Sequence, residues 1–332
     1  MGRLGGADQD QDQDQDQDQD QDQDQSHGTG RRRTVQNSGV FATLLEPERF
    51  PDPRDPDYKE VQGRVNQLRY RQFWNPELQA YVYIDEFLRV YPDWQAKLTA
   101  GIEGRDGGKA QGREKPVDLR QKLDDERGAQ LRRILELSDE RDKRYTEIID
   151  QHGAEGAIKY WLRMLEIDPA SNPATHQLIR IARRLGEHVV MCLKEHYHMG
   201  RPSQVLPAIM PMIEVPAHPT FPAGHALQSH LISLCLKAAG RGGSQPEMLF
   251  HLSRRVAQNR VIAGLHYPVD NEAGVAAAEA CFALLTETEQ TEEQGTRVKK
   301  EKCPVFNRLL KAASAESNRK LLDHPRDYAS KS

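Results

Sequence analysis

Apolar and polar positions divide the chain into stretches of different character. Residues 8–25 are a strict Asp-Gln alternation with no apolar position. Such a segment has nothing to bury and is predicted to stay unfolded, with the polar, basic residues up to position 37. Apolar residues return near Val40, but Pro51, Pro53 and Pro56 interrupt them, so an extended, turn-rich stretch is expected. Trp74, Tyr81, Tyr83, Phe87, Tyr91 and Trp94 then form an aromatic run. It predicts core or a packing surface rather than a platform for stacking bases. Residues 100–115, rich in glycine and charge, read as a linker.

After Pro116 a spacing of three and four takes over. Leu119, Leu123, Leu131, Ile134, Leu135 and Leu137 mark an amphipathic helix that Tyr145, Ile148 and Ile149 continue. A second helix is expected over Ile158 to Ile167. A third starts near Pro173 and runs to about His198 through Leu178, Ile181, Leu185, Val189, Val190 and Leu193, stopped by Gly200 and Pro202. The prolines between Pro202 and Pro222 predict an ordered loop. A fourth helix begins at Gly224 or His225 and ends near Gly240, and a fifth spans Glu247 to Ala263. A sixth starts at Pro268, with proline in its favoured first position, and reaches about Glu287. The polar remainder predicts one short helix near Val305 to Ala313, and no two-residue strand alternation stands out. The expected organisation is a tail (1–37), an aromatic and polar segment with its linker (38–115), a helical domain (116–287) and a polar extension (288–332). The expected fold class is all-α, a helical bundle.

Charge changes this picture only locally. The net charge of −4 misleads, because the nine Asp of the tail outweigh it. Once Arg31, Arg32 and Arg33 are set aside as well, residues 34–332 are close to neutral. No global charge argument for a nucleic-acid or membrane partner remains. No apolar run approaches the ~18–20 residues of a bilayer span. No secretory apolar region follows the N-terminus, and the stretch after Arg33 is too short for a twin-arginine signal. Gly6 breaks the myristoylation pattern. Cys192, Cys235, Cys281 and Cys303 lack paired spacing and read as buried, reduced thiols. A cytoplasmic protein without a transmembrane segment is the expectation.

Eight of the twelve histidines lie between His188 and His266, and three short blocks in that span carry candidate chemistry. In the first, Lys194 sits on the last turns of a helix and Arg201 follows its end, two cations able to converge on one anion. In the second, His218-Pro-Thr-Phe-Pro-Ala-Gly-His225, a proline-rich loop enters a helix at Gly224. Free amides and the helix dipole favour an oxyanion there, and His225 could exchange a proton beside it. In the third, Arg260 adds a cation, and Asp270 stands four residues after His266, where it could hold one ring nitrogen and aim the other. His196, His198 and His218 lack the carboxylates a dinuclear metal site needs.

Together, Lys194-x6-Arg201-Pro202, Pro222-Ala-Gly-His225 and Arg260-x5-His266-x3-Asp270 resemble the three-part signature of the phosphatidic acid phosphatase type 2 superfamily. That superfamily includes bacterial acid phosphatases and vanadium-dependent haloperoxidases. The likeness covers residues 194–274 closely and implies an acid phosphatase/haloperoxidase-type bundle over about 116–285. It implies that Lys194, Arg201, Arg260 and the Gly224 amide hold phosphate or vanadate oxygens. It further implies that His225 protonates the leaving oxygen, that His266 attacks phosphorus or ligates vanadium, and that Asp270 orients His266. Ala223 stands in the anion-binding motif where the family usually has Ser, which removes a hydroxyl donor, and Asn259 replaces the usual Ser before Arg260. His225 and Arg260 are 35 residues apart, without the large insertion usual in haloperoxidases. The favoured expectation is a phosphoric monoester hydrolase acting on a small soluble ester through a phosphohistidine, with no metal or cofactor. The alternatives are a vanadium-dependent haloperoxidase, with vanadate as cofactor and halide and peroxide as substrates, or a non-catalytic anion-binding relative.

Overall fold

Apolar residues three and four apart build the longest helices, and their burial sets the packing. In the computed structural model, which describes residues 74–105, 117–153, 156–293 and 296–322, nearly all regular structure is helical. Helices α1 (Pro76–Val90) and α2 (Trp94–Ile102) come from the aromatic run. Then follow α3 (Leu119–Leu137), a 3-10 turn (Ser138–Glu140), α4 (Arg141–Asp150) and α5 (Ile158–Met164). The long α6 (Pro173–Tyr197) leads through the short α7 (Pro202–Val205) and a 3-10 turn (Pro207–Ile209) to α8 (Gly224–Ala238). Helices α9 (Glu247–Ile262) and α10 (Pro268–Leu285), a hairpin and α11 (Pro304–Leu322) complete the order. The predicted tail (1–37), the prolines at 51–56, the linker beyond 105 and residues 323–332 lie outside the described residues.

Helix α6 presents Leu178, Ile181, Leu185, Val189 and Leu193 on one buried face. It packs on α1, α8 and α11, while α8 also packs on α9 and α10. Phe87, Leu98 and Ile102 are fully buried in the same core as Leu193 and Leu231. Of the aromatic run, Tyr83, Phe87, Tyr91 and Trp94 are buried, whereas Trp74 and Tyr81 are exposed. Tyr91 Oη donates to the carbonyl of Leu284 at 2.8 Å, tying α1 to the end of α10. Among the described residues no helix is long and apolar enough to cross a membrane.

The structure corrects the sequence reading in four places. Residues 100–102, read as the start of the linker, close helix α2, and Ile102 is fully buried in the core. The polar extension holds an antiparallel hairpin, β1 (Thr288–Glu293) with β2 (Thr296–Glu301). Its facing pairs include Glu289 with Lys300 and Glu292 with Arg297, so opposite charges replace the apolar alternation that marks most strands. Helix α11 begins at Pro304 and runs well past Ala313, and its start is anchored from afar. Both oxygens of the Glu86 carboxylate accept its first amides, from Val305 at 2.7 Å and Phe306 at 2.9 Å. The helix expected to continue from Leu119 to Ile149 breaks into α3 and α4 at Ser138, whose hydroxyl donates to the Leu135 carbonyl at 2.6 Å.

Two glycines set how closely the site elements approach. A Cβ on Gly274 would lie 2.7 Å from the Ala223 carbonyl oxygen and 2.8 Å from the Ala226 methyl. Only glycine lets α10 press against the start of α8. Gly264, with φ +83°, turns the chain between α9 and α10.

Candidate active site

All three sequence blocks converge at helix ends. Lys194 lies in the last turn of α6, which His198 closes in the left-handed conformation at φ 49°. Arg201 precedes α7, His225 occupies the first turn of α8 and Arg260 the last turn of α9. His266 follows the Gly264 turn, and Asp270 sits in the first turn of α10. Lys194 and Arg201 are 1% exposed, and Arg260 and Asp270 are 0% exposed. A site of three cations and one carboxylate is thus withdrawn from water.

Asp270 organises the nucleophile candidate. Its Oδ2 accepts from His266 Nδ1 at 3.0 Å and from the Tyr267 amide at 3.0 Å. The Thr220 hydroxyl donates to the same oxygen at 2.5 Å and lies 3.0 Å from His266 Nδ1. A carboxylate only accepts, so His266 carries its proton on Nδ1 and leaves Nε2 with a lone pair. No hydrogen bond is made by Nε2 among the described residues. Burial, and then the charges of Lys194 and Arg201, hold the His266 pKa well below the ordinary imidazole range. Burial pushes Asp270 up to about 6 despite the Thr220 hydrogen bond and the Lys194 charge.

The cations are held by carbonyls rather than by acids. Lys194 Nζ donates to the carbonyls of Pro219 (2.6 Å) and Thr220 (2.8 Å). Arg201 donates from Nε to His218 O at 3.1 Å and from Nη1 to Leu265 O at 3.0 Å. Arg260 donates from Nη2 to Ile148 O at 2.8 Å, while its buried Nε and Nη1 have no acceptor. Burial and the neighbouring Arg201 charge pull Lys194 down to about 7. Burial lowers Arg260 to about 10 against the opposing pull of Tyr160, and Arg201 to about 10 against that of Asp270.

His225 faces this cluster from α8. Its Nε2 donates to the carbonyl of Gln151 at 3.0 Å. Gln151 is itself held by Asn259, whose Nδ2 donates to Gln151 Oε1 at 2.9 Å. Burial, then the Arg260 charge, pulls the His225 pKa down to about 3. Gly224 has room: a Cβ there would meet only the Val190 side chain, at 3.6 Å. Packing within the protein therefore does not itself require glycine at this position. Ala223 offers an anion nothing. Its amide donates to the Asp270 carbonyl at 2.9 Å, and its methyl packs with Ala226 and Ala257.

Two participants escaped sequence reasoning. Gln151 lies far from the motifs in the chain, and no local pattern marks it. Thr220 stands inside the second block, where its hydroxyl between two prolines was the only available signal. His196 and His198 are exposed, and buried His230 lies 3.4 Å from the Ser253 hydroxyl. Among the described residues no group of three or more His, Cys, Asp or Glu is placed to hold a metal ion. The chain matches no family model and no curated protein.

Proposed function

We propose that this protein hydrolyses phosphoric monoesters of small molecules through a phosphohistidine on His266. One observation carries the reading: Lys194, Arg201 and Arg260 are all buried and all act on His266, the Asp270 charge reaches Lys194 and Arg201, and two Arg260 nitrogens lack acceptors. Excess buried positive charge with unused donors is costly unless an anion compensates it. A phosphoryl group supplies both the charge and the oxygens. The likeness of the three motifs to the phosphatidic acid phosphatase type 2 superfamily points the same way.

The chemistry follows from the site. Phosphoryl oxygens take Nε and Nη1 of Arg260, the ammonium of Lys194, the guanidinium of Arg201 and the amide of Gly224. His266 Nε2, unprotonated at neutral pH, attacks phosphorus as the bond to the leaving oxygen breaks. His225 gives that oxygen a proton. The pKa of His225 near 3 belongs to the ligand-free site, and an arriving dianion beside it raises that value. In the second half, neutral His225 takes a proton from water, the hydroxide attacks phosphorus, and the P–N bond breaks to free phosphate and His266. Vanadate fits the same donors, with His266 Nε2 as its ligand.

The test is a paired assay of the purified full chain. An aryl phosphate should be hydrolysed without added metal. Halide oxidation with vanadate and peroxide, in the absence of any ester hydrolysis, would contradict the proposal.

A further inference from the structure

We infer that Thr220 is a positioning residue for the His266 nucleophile, an assignment that rests on the phosphohistidine reading above. Thr220 is completely buried, and its hydroxyl is engaged inside the site rather than in the packing around it. Oγ1 lies within hydrogen-bond distance of both members of the His266–Asp270 pair, 3.0 Å from Nδ1 and 2.5 Å from Oδ2. Its own backbone is fixed at both ends. The amide donates to the Met199 carbonyl at 2.9 Å, and the carbonyl accepts from Lys194 Nζ at 2.8 Å. The hydroxyl therefore has little freedom to go elsewhere.

The consequence is geometric. Asp270 directs Oδ2 at the site, while its Oδ1 is buried without a partner. A carboxylate with one idle oxygen can rotate about its Cβ–Cγ bond and exchange the two. The Thr220 hydroxyl donates to Oδ2 and opposes that rotation. The Tyr267 amide holds Oδ2 from the backbone, and Thr220 holds it from the loop that leads into α8. The same hydroxyl oxygen faces the proton on Nδ1, so it adds a second acceptor on that side of the ring. Both contacts favour the tautomer in which Nε2 keeps its lone pair. Thr220 thus links the ammonium-bearing end of α6, through its backbone carbonyl, and the start of α10, through its hydroxyl, to the loop before α8. Partners that orient a metal-bound imidazole in the same way contribute about 10–100-fold, and a loss on that scale is expected here.

The experiment compares wild type with Thr220→Val, Thr220→Ala and Thr220→Ser, using thermal melts to verify folding. Steady-state hydrolysis of an aryl phosphate is read together with the tautomer of His266, followed by nitrogen-15 NMR of labelled histidine and assigned with His266→Ala. Thr220→Val should lower kcat by about 10–100-fold with KM nearly unchanged. Thr220→Ser should restore most of the rate, and Thr220→Ala serves if the valine variant does not fold. In the spectra, wild type should show His266 protonated on Nδ1 alone, and the hydroxyl-less variants a mixture of tautomers. Wild-type kcat in a folded variant without the hydroxyl would overturn the assignment. So would a serine variant as impaired as valine. If wild type hydrolyses no ester, the phosphohistidine reading fails, and the spectra decide on Thr220 separately. An unchanged tautomer in the variants then overturns the assignment, and a mixture upholds it.

Discussion

His225 and His266 are imidazoles kept neutral among cations, and their stability cost has a sign. Unfolded histidine titrates near 6.5, whereas His225 is pulled to about 3 and His266 well below its usual range. Below about pH 6.5 the unfolded chain therefore binds protons that the native site refuses, so stability falls on acidification. Burial lowers His188 and His218 in the same sense. Asp270, raised to about 6, acts oppositely between about 6 and its unfolded value of 3.8, but it is one group against several. The melting temperature should drop between pH 7 and pH 5, and less steeply in His225→Gln; a rise for wild type would contradict the electrostatics described. Ala223 gives a second check. It occupies the N-cap of α8 in extended conformation with no side-chain cap. Ala223→Ser should add about 1 kcal/mol of stability by accepting an amide of the first turn, measurable by denaturant titration. At this scale the sequence pointed to Lys194, Arg201, His225, Arg260, His266 and Asp270, and each of them lies in or beside a helix end. The acceptors of their protons were not legible. Gln151, Ile148 and Leu265 contribute backbone carbonyls, and a carbonyl leaves no trace in residue type.

Helix ends position the site, and carboxylates remote in sequence hold several of them. Glu86 of α1 caps α11, and Glu316 of α11 caps α6 by accepting from the amides of Ala174 (2.7 Å) and Thr175 (2.9 Å). Charge at a helix N-terminus adds to each hydrogen bond. Arg241 also donates to Glu316 at 3.5 Å, so this carboxylate serves two partners. Glu316→Ala should cost about 1–3 kcal/mol by leaving buried donors without an acceptor, as read by chemical denaturation. An effect near zero would mean that the start of α6 finds other partners. Helix existence was readable from the spacing of Leu178, Ile181, Leu185 and Val189, whereas these caps were not, since each joins residues far apart in the chain. The hairpin was missed for a related reason. Its strands pair through facing charges rather than through apolar alternation.

Across the molecule, net charge says little and its placement says much. The nine Asp of the Asp-Gln tail outweigh the net charge of −4, while the described residues bury three cations in one site. The aromatic segment before the linker also proves integral to that scaffold. Phe87, Leu98 and Ile102 are fully buried, and Trp94 stacks obliquely on His188 of α6 at 6.2 Å between ring centroids. A chain starting at residue 115 should therefore fail to fold cooperatively, as judged by its calorimetric transition; a soluble, cooperative fragment would contradict this packing. The proposed function rests most directly on a covalent step at His266. Rapid quenching during turnover of a phosphorus-32-labelled phosphate ester tests it. Wild type should yield an acid-labile, base-stable phosphoenzyme, and folded His266→Ala should yield none while still binding inorganic phosphate. Turnover with no trapped intermediate in wild type, or equal labelling of the His266→Ala protein, would contradict the account.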